Sequence, residues 1–99
     1  MFDTQEPASA RLDMTIARGA FMRQLAAAFP GLRQPETDVF CGDHLGCQWS
    51  IRLLPAPPTR LGSMALERWL VDVTLHAPSR TLRSMWWQRF SAHFQRGGG

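Results

Sequence analysis

The alternation that decides the fold runs through residues 47–53, which read CQWSIRL. Apolar side chains at the odd positions alternate with polar ones at the even positions, and this period of two is typical of a strand that buries one face. Residues 69–76, which read WLVDVTLH, alternate in the same way. The two stretches are therefore predicted to be strands of one antiparallel sheet, each with one buried and one solvent-facing side.

The later of these strands is predicted to begin near residue 63 and to contain a change of parity. Met64 and Leu66 point to the opposite side from the apolar residues that follow them. A bulge near Glu67 and Arg68 would bring both sets onto one face, because an extra residue in a strand reverses the side to which the next residues point.

A shorter strand is predicted from Thr37 to Cys41, followed by a hairpin loop over Gly42–Gly46. The two glycines of this loop suit left-handed backbone positions. With this loop, Cys41 and Cys47 face each other and share the inward side of the sheet. The proline-rich residues 55–58 are predicted to end the strand that follows.

Two helices are predicted to flank the strands. Asp13 suits the N-cap of a helix over about residues 14–29, where apolar side chains recur at the helical period, and Pro30-Gly31 stops it. Ser79 suits the N-cap of a last helix over about residues 80–95, which also carries an apolar stripe.

These elements predict an α+β fold of order α-β-β-β-α, a three-stranded antiparallel meander with both helices packed on one face. A chain of 99 residues holds one domain of this kind. Residues 1–12 are predicted to be a flexible N-terminal arm, residues 13–96 the single domain and residues 97–99 a flexible glycine tail.

Charge is distributed unevenly along the chain. Residues 1–49 carry six acidic residues and four arginines, whereas residues 50–99 carry two acidic residues and seven arginines. A basic C-terminal half suits nucleic acid, and RNA binding through that half is one alternative function. The last predicted helix has no continuous basic stripe, however, and its absence counts against RNA binding.

The N-terminal residues contain neither the basic nor the apolar region of a signal peptide. No stretch contains the ~20 apolar residues that a membrane-spanning helix needs. We therefore expect a cytoplasmic protein without a membrane partner.

One local cluster suits metal or redox chemistry. Cys41, His44 and Cys47 offer two thiols and an imidazole around a tight loop, but Zn²⁺ requires a fourth ligand and the spacing is not that of a paired Cys-x2-Cys motif. The alternative for the cysteines is a pair of small core residues, since reduced Cys packs as an apolar side chain. We expect no cofactor.

Two surfaces are candidates for protein contacts. Trp86 and Trp87 lie about 100° apart on a helix, so the last helix carries more aromatic surface than one sheet needs to cover it, and Trp87 and Phe94 lie at its edge. Intramolecular cover of Trp87 is the alternative. If Trp87 is buried within a single, self-contained protomer, the case for an association role collapses.

The solvent face of the sheet is the second candidate, with Leu54, Leu70, Arg52 and His76 among its predicted side chains. The two leucines are apolar residues at solvent-facing positions, which favours a protein partner or self-association as a homodimer. No catalytic triad, phosphate loop or zinc-protease motif is present in the sequence. We therefore expect a small non-enzymatic binding module that acts through protein–protein contacts.

Overall fold

A computed structural model describes residues 8–94 of the chain. Seven elements follow one another in this part of the chain, and they are β1 (Ser9–Thr15), α1 (Arg18–Ala28), β2 (Arg33–Glu36), β3 (Val39–His44), β4 (Cys47–Leu61), β5 (Met64–His76) and α2 (Arg80–His93). The five strands form one antiparallel sheet in the order β1-β5-β4-β3-β2. The α+β class agrees with the prediction, but the three-stranded meander is wrong, because β1 and β2 add a strand at each edge.

The strand β1 replaces part of the predicted arm and part of the predicted helix. Seven consecutive residues pair with β5, from Ser9 opposite Thr74 to Thr15 opposite Arg68. Residues 9–12 are therefore strand, whereas residues 1–7 and the predicted glycine tail lie outside the described residues. Half-buried apolar side chains alternate with exposed polar ones along β1, so this short stretch obeys the same period of two as the central strands.

The first helix begins later than predicted. Asp13 is not its N-cap, because Asp13 lies within β1; the N-cap is Ala17, which makes no side-chain hydrogen bond to the helix. The backbone N–H of Arg18 instead donates to Glu67 Oε1 at 2.9 Å. A carboxylate from β5 therefore satisfies one of the N–H groups that a helix leaves open at its start.

The β3–β4 hairpin is tighter than predicted. Its turn consists of Leu45 and Gly46, whose φ angles of 52° and 81° are both left-handed, instead of the five-residue loop over 42–46. His44 faces Cys47, and Cys41 faces Ser50 rather than Cys47. The predicted cysteine pair is wrong for this reason: the register differs by three residues, and Cys41 points away from the face that Cys47 shares with the core.

The β4–β5 hairpin is longer than predicted. Prolines 55, 57 and 58 lie within β4. They are tolerated because the bonds on the β3 side of β4 end at Leu53, whose N–H donates to the carbonyl of Asp38, and the rest of that edge has no strand beside it among the described residues. The register shift lies in β4 between Ala56 and Thr59, and β5 runs without interruption. The irregularity does lie opposite Glu67, but the extra residue is in β4. The predicted bulge in β5 is therefore wrong, and Met64 and Leu66 are not brought to the core face.

Both helices lie on one face of the sheet. Phe21 and Leu25 from α1 and Trp86 and Phe90 from α2 are buried against the inward side chains of β3, β4 and β5. Phe29, at the end of α1, stacks on Trp86 with ring centres 5.0 Å apart. The opposite side of the sheet has neither helix over it, and we call it the open face. Within residues 8–94, neither helix is long and apolar enough to cross a membrane.

Candidate binding surface

The open face contains the side chains that the sequence predicted for it. Strand alternation and register place them on the side opposite the buried core, and they are Gln48, Ser50, Arg52, Leu54, Leu70, Asp72, Thr74 and His76. All are exposed or half-buried. The central part of this face is thus correctly predicted, because an uninterrupted alternation in β4 and β5 fixes which side each residue faces.

The β4–β5 register brings some of the predicted partner-binding residues together and separates others. Leu54 lies directly opposite Leu70, and Arg52 lies directly opposite Asp72. His76 pairs with Gln48 at the far end of the strands, about 20 Å from Leu70 along β5 at the rise of an extended strand. His76 therefore does not share a site with the two leucines.

Two ion pairs cross the open face between β1 and β5. Arg11 donates to both carboxylate oxygens of Asp72 at 2.6 and 2.8 Å, and Arg68 donates to both oxygens of Asp13 at 2.8 and 2.7 Å. The hydrogen bonds from these guanidinium groups lower the pKa of Asp72 and of Asp13. Both carboxylates near the middle of the face are therefore already engaged by arginines.

The face becomes apolar towards the tip of the β4–β5 hairpin. Because β5 has no bulge, Met64 and Leu66 stay on the same side as Leu70, and Met64 faces Leu61 across the hairpin. We call the apolar side chains of this region the hairpin strip; they are Leu54, Leu61, Met64, Leu66 and Leu70. Leu61 and Met64 are 59% and 57% exposed, whereas the other three are half-buried.

The sequence does contain a signal for this strip, namely the change of parity in the predicted strand that begins near residue 63. The opposite parity of Met64 and Leu66 predicted a bulge that would bury them, since apolar side chains are usually assigned to the core. The structure instead keeps them on the open face. Leu61 follows the proline-rich stretch that is predicted to end its strand, so the predicted alternation does not include it.

One exposed arginine borders the hairpin strip on the open face. Arg52 lies directly opposite Asp72 and two residues before Leu54, and it makes no ion pair within 4 Å among the described residues. The pKa of Asp72 is lowered mainly by the hydrogen bond from Arg11 and, to a smaller extent, by the charge of Arg52. Arg60 pairs with Ala65, so the register places it on the side of the hairpin opposite Leu61 and Met64. The border of the strip therefore carries positive charge from Arg52.

Trp87 and Phe94 lie on the helix-covered side of the sheet. Trp87 is 9% exposed and belongs to the core, with its ring 5.0 Å from Trp86 and 5.6 Å from Phe90. Phe94 is half-buried and stacks on Phe90 at 4.6 Å. The aromatic surplus of α2 is thus covered within the protomer, and the case for association that was built on Trp87 is lost.

The Cys41, His44 and Cys47 cluster is divided between the two faces. Cys47 is buried on the helix side, where burial raises the pKa of its thiol, and Cys41 is half-buried on the open face. Both cysteines are free thiols. Within residues 8–94, no three His, Cys, Asp or Glu side chains are grouped so that they could hold a metal ion.

The arginines of the C-terminal half do not form one surface. Arg68 is paired with Asp13 on the open face, whereas Arg89 on α2 donates to the backbone carbonyl of Ala28 at the end of α1. A protein that follows a phosphate backbone needs a continuous basic track. The described arginines are instead distributed over both sides of the molecule.

A shallow groove of about 430 Å³ lies between the β3–β4 turn and α2, lined among others by His44, Arg89 and His93. His93 Nδ1 is 3.0 Å from the carbonyl oxygen of Arg89. The lining of this groove includes two histidines and one arginine and no carboxylate.

No family model matches this chain, and no curated protein or solved structure shows significant similarity to it.

Proposed function

We propose that this chain is a non-enzymatic protein-interaction module that binds its partner through the hairpin strip. The observation that carries the proposal is the exposure of Leu61 and Met64 on a part of the hairpin that only two strands form. The pairing of β1 with β5 ends at Arg68, with one further backbone bond from Ile16 to Glu67, so the ribbon from Leu66 to its tip has no third strand. A two-stranded ribbon is marginally stable alone in water, and a partner that covers its apolar side would stabilise it.

The energetic argument depends on the size of the exposed side chains. Covering a fully exposed Leu or Met contributes roughly 1.5–3 kcal/mol. Leu61 and Met64 are already partly covered, so each would contribute less, but the half-buried Leu54, Leu66 and Leu70 extend the same strip. An apolar centre surrounded by polar side chains is the usual anatomy of a protein interface.

The charges around the strip select the chemistry of the partner. Arg52 borders it without an ion pair within 4 Å among the described residues, and a carboxylate on a partner would pair with it. We therefore propose a partner segment that presents apolar side chains flanked by Asp or Glu. A second copy of this chain is less suitable on this surface, because the carboxylates beside its own strip, Asp13 and Asp72, are already engaged by arginines.

The test is photo-cross-linking in the native host. A photoreactive benzophenone side chain replaces Met64 in the strip, and in a matched control it replaces Ser50, which lies on the polar part of the same face. The probe at position 64 is expected to give a discrete adduct that the probe at position 50 does not give. Mass spectrometry then maps the partner residues in the adduct, which are expected to be apolar with Asp or Glu within a few positions.

Three outcomes overturn the proposal. The first is the absence of any adduct at position 64, and the second is the same adduct from both probes, which marks random collision. The third is an adduct to the hairpin strip of a second copy, which assigns this surface to self-association. An adduct with a basic or purely polar segment contradicts the partner chemistry.

A further inference from the structure

The outer edge of β1 has no strand beside it within residues 8–94. β1 is the first strand of the sheet, and its other edge pairs with β5 over seven consecutive residues without a bulge. The opposite edge of the sheet differs: β2 has four residues, contains Pro35 and pairs with an irregular register. Short strands, prolines, irregularities and charged side chains protect sheet edges. Of these, β1 has only the charged side chains of Arg11 and Asp13.

The hydrogen-bonding direction along β1 follows from two bonds at its ends. Leu75 N–H donates to the carbonyl of Ala8 at 2.6 Å, and Ile16 N–H donates to the carbonyl of Glu67 at 3.0 Å. The even-numbered residues of β1 therefore direct their backbone groups towards β5, because bonded and non-bonded pairs alternate in an antiparallel ladder. The backbone groups of the odd-numbered residues point away from the sheet; these residues are Ser9, Arg11, Asp13 and Thr15.

These free groups can pair with those of a second β1 related by a two-fold axis. Backbone hydrogen bonds between the two β1 strands require odd-numbered residues of one strand to lie opposite odd-numbered residues of the other. Three registers meet this condition and keep most of the two strands side by side. Centring the axis on Arg11 places two arginines in contact, and centring it on Asp13 places two aspartates in contact. Centring it on Leu12 places Arg11 opposite Asp13 of the second copy, and charge complementarity therefore selects this register.

The same register suits both faces of the resulting sheet. On the open face, a row of charges would cross the junction between the two copies. Its signs alternate in the order Asp72, Arg11, Asp13 of the second copy and Arg68 of the second copy. On the helix side, Leu12 meets its own copy and Ala10 meets Met14, so a small side chain faces a large one. These three apolar side chains are only half-buried in the single protomer.

We infer that two copies of this chain associate through β1, edge to edge, to form one continuous antiparallel ten-stranded sheet. The surface is separate from the hairpin strip, and the two tips would point in opposite directions from the axis. Each of the four facing odd pairs would exchange two backbone hydrogen bonds. The contact is isologous, as in most homodimers.

The experiment uses charge swaps that keep the two ion pairs between β1 and β5. All proteins of the series carry Arg52→Gln, because Arg52 lies directly opposite position 72. One variant combines Arg11→Asp with Asp72→Arg, and a second combines Asp13→Arg with Arg68→Asp. Each preserves an arginine–aspartate pair between β1 and β5, but each places like charges opposite each other across the two-fold axis. The variant with all four substitutions preserves the pairs within the protomer and restores opposite charges across the axis.

Sedimentation velocity of the full chain over a concentration series gives the dimer dissociation constant. We expect a monomer–dimer equilibrium for the natural sequence and for Arg52→Gln alone, about tenfold weaker dimerisation for each single swap, and restoration to within about threefold in the combined variant. Melting temperatures identify a swap variant that fails to fold. In that case Ser9→Pro is used instead of the swap; it removes an outward N–H of β1 and is expected to weaken the dimer. A monomer at all concentrations up to millimolar, or a dimer that neither single swap nor Ser9→Pro weakens, overturns the inference.

Discussion

Gly42 on β3 lies against the indole ring of Trp49 on β4, and the fit leaves no room for a side chain. A Cβ atom at position 42 would lie 3.0 Å from Trp49 Cζ2 and 3.2 Å from Cε2 and Nε1. Trp49 cannot move aside easily, because its ring is 3% exposed and packs on Phe29 at 5.0 Å. The contact explains why this strand position holds a glycine although its backbone is not left-handed.

Gly42→Ala is therefore expected to lower the free energy of unfolding by about 1–3 kcal/mol, the usual cost of overpacking a core. The matched control is Gly19→Ala in α1, where the added Cβ would meet only the end of the Arg23 side chain at 3.5 Å. That change is expected to stabilise by up to about 1 kcal/mol, because alanine favours a helix. Urea unfolding of both variants measures whether the free energy of unfolding falls for Gly42→Ala and rises for Gly19→Ala. An equal effect of the two changes would contradict the packing argument.

His44 lies at the end of β3 with its ring edge-on to Phe29 at 5.3 Å. Burial, with a smaller effect of the nearby Arg89 charge, lowers the pKa of His44 in the folded chain. The unfolded chain therefore binds a proton first as the pH falls, and the free energy of unfolding falls with it.

We expect the free energy of unfolding to fall as the pH drops below about 6.5, the pKa of an unperturbed histidine, and the loss to be complete below the lowered folded pKa. His44→Gln removes this contribution, so the variant should show a smaller loss over the same interval. The lowered carboxylate pKa values of Asp13 and Asp72 affect stability only at more acidic pH, where the loss begins near their unfolded pKa of about 4. Identical pH profiles for the variant and the natural chain would contradict the burial of the imidazole.

At the scale of the elements, the N-termini of the two helices are capped by different groups. Ser79 is the N-cap of α2, as predicted, and its hydroxyl accepts a hydrogen bond from the backbone N–H of Leu82 at 3.1 Å. The start of α1 depends on Glu67, which is 49 positions away in sequence. A cap of the first kind has a local sequence signature, whereas a cap of the second kind depends on the packing of β5 against α1.

Ser79→Ala is expected to lower the free energy of unfolding by about 1 kcal/mol, because the N–H of Leu82 loses its acceptor. Ser79→Asp keeps an acceptor and adds a negative charge near the positive end of the helix dipole, so it is expected to retain the stability or increase it slightly. Chemical denaturation of the three proteins tests this order. Equal destabilisation by both substitutions would show that the hydroxyl does not act as a cap.

The elements also show which parts of the fold a single sequence predicts. β4 and β5 were recognisable because a long alternation with strong apolar contrast admits one interpretation. β2 has four exposed residues including Pro35 and no period, and only its pairing with β3 makes it a strand. The β3–β4 turn was missed because it places Leu45 at φ 52°, a conformation that non-glycine residues seldom adopt.

At the scale of the whole molecule, the sheet separates a closed side from an open one. The helix side holds the aromatic core, including Trp87, and the open face holds two Arg–Asp pairs and the hairpin strip. The polar centre of the open face was predictable from β4 and β5 alone. The strip was not, because recognising Met64 and Leu66 as outward residues requires knowing that the bulge lies in β4 rather than in β5.

The proposed role of the strip requires that it contribute to binding and not to folding. The measurement that tests this most directly is the adduct yield from the photoreactive probe at position 64, with and without Leu61→Ser on the facing strand, read together with the free energy of unfolding. Leu45→Ser is the matched control, because Leu45 is 55% exposed on the other hairpin turn and lies outside the strip. We predict that Leu61→Ser lowers the adduct yield several-fold and changes stability by no more than about 0.5 kcal/mol, whereas Leu45→Ser leaves the yield unchanged. An unchanged yield in the Leu61→Ser chain, or a loss of stability large enough to make Leu61 a core residue, would contradict the assignment of the strip as the binding surface.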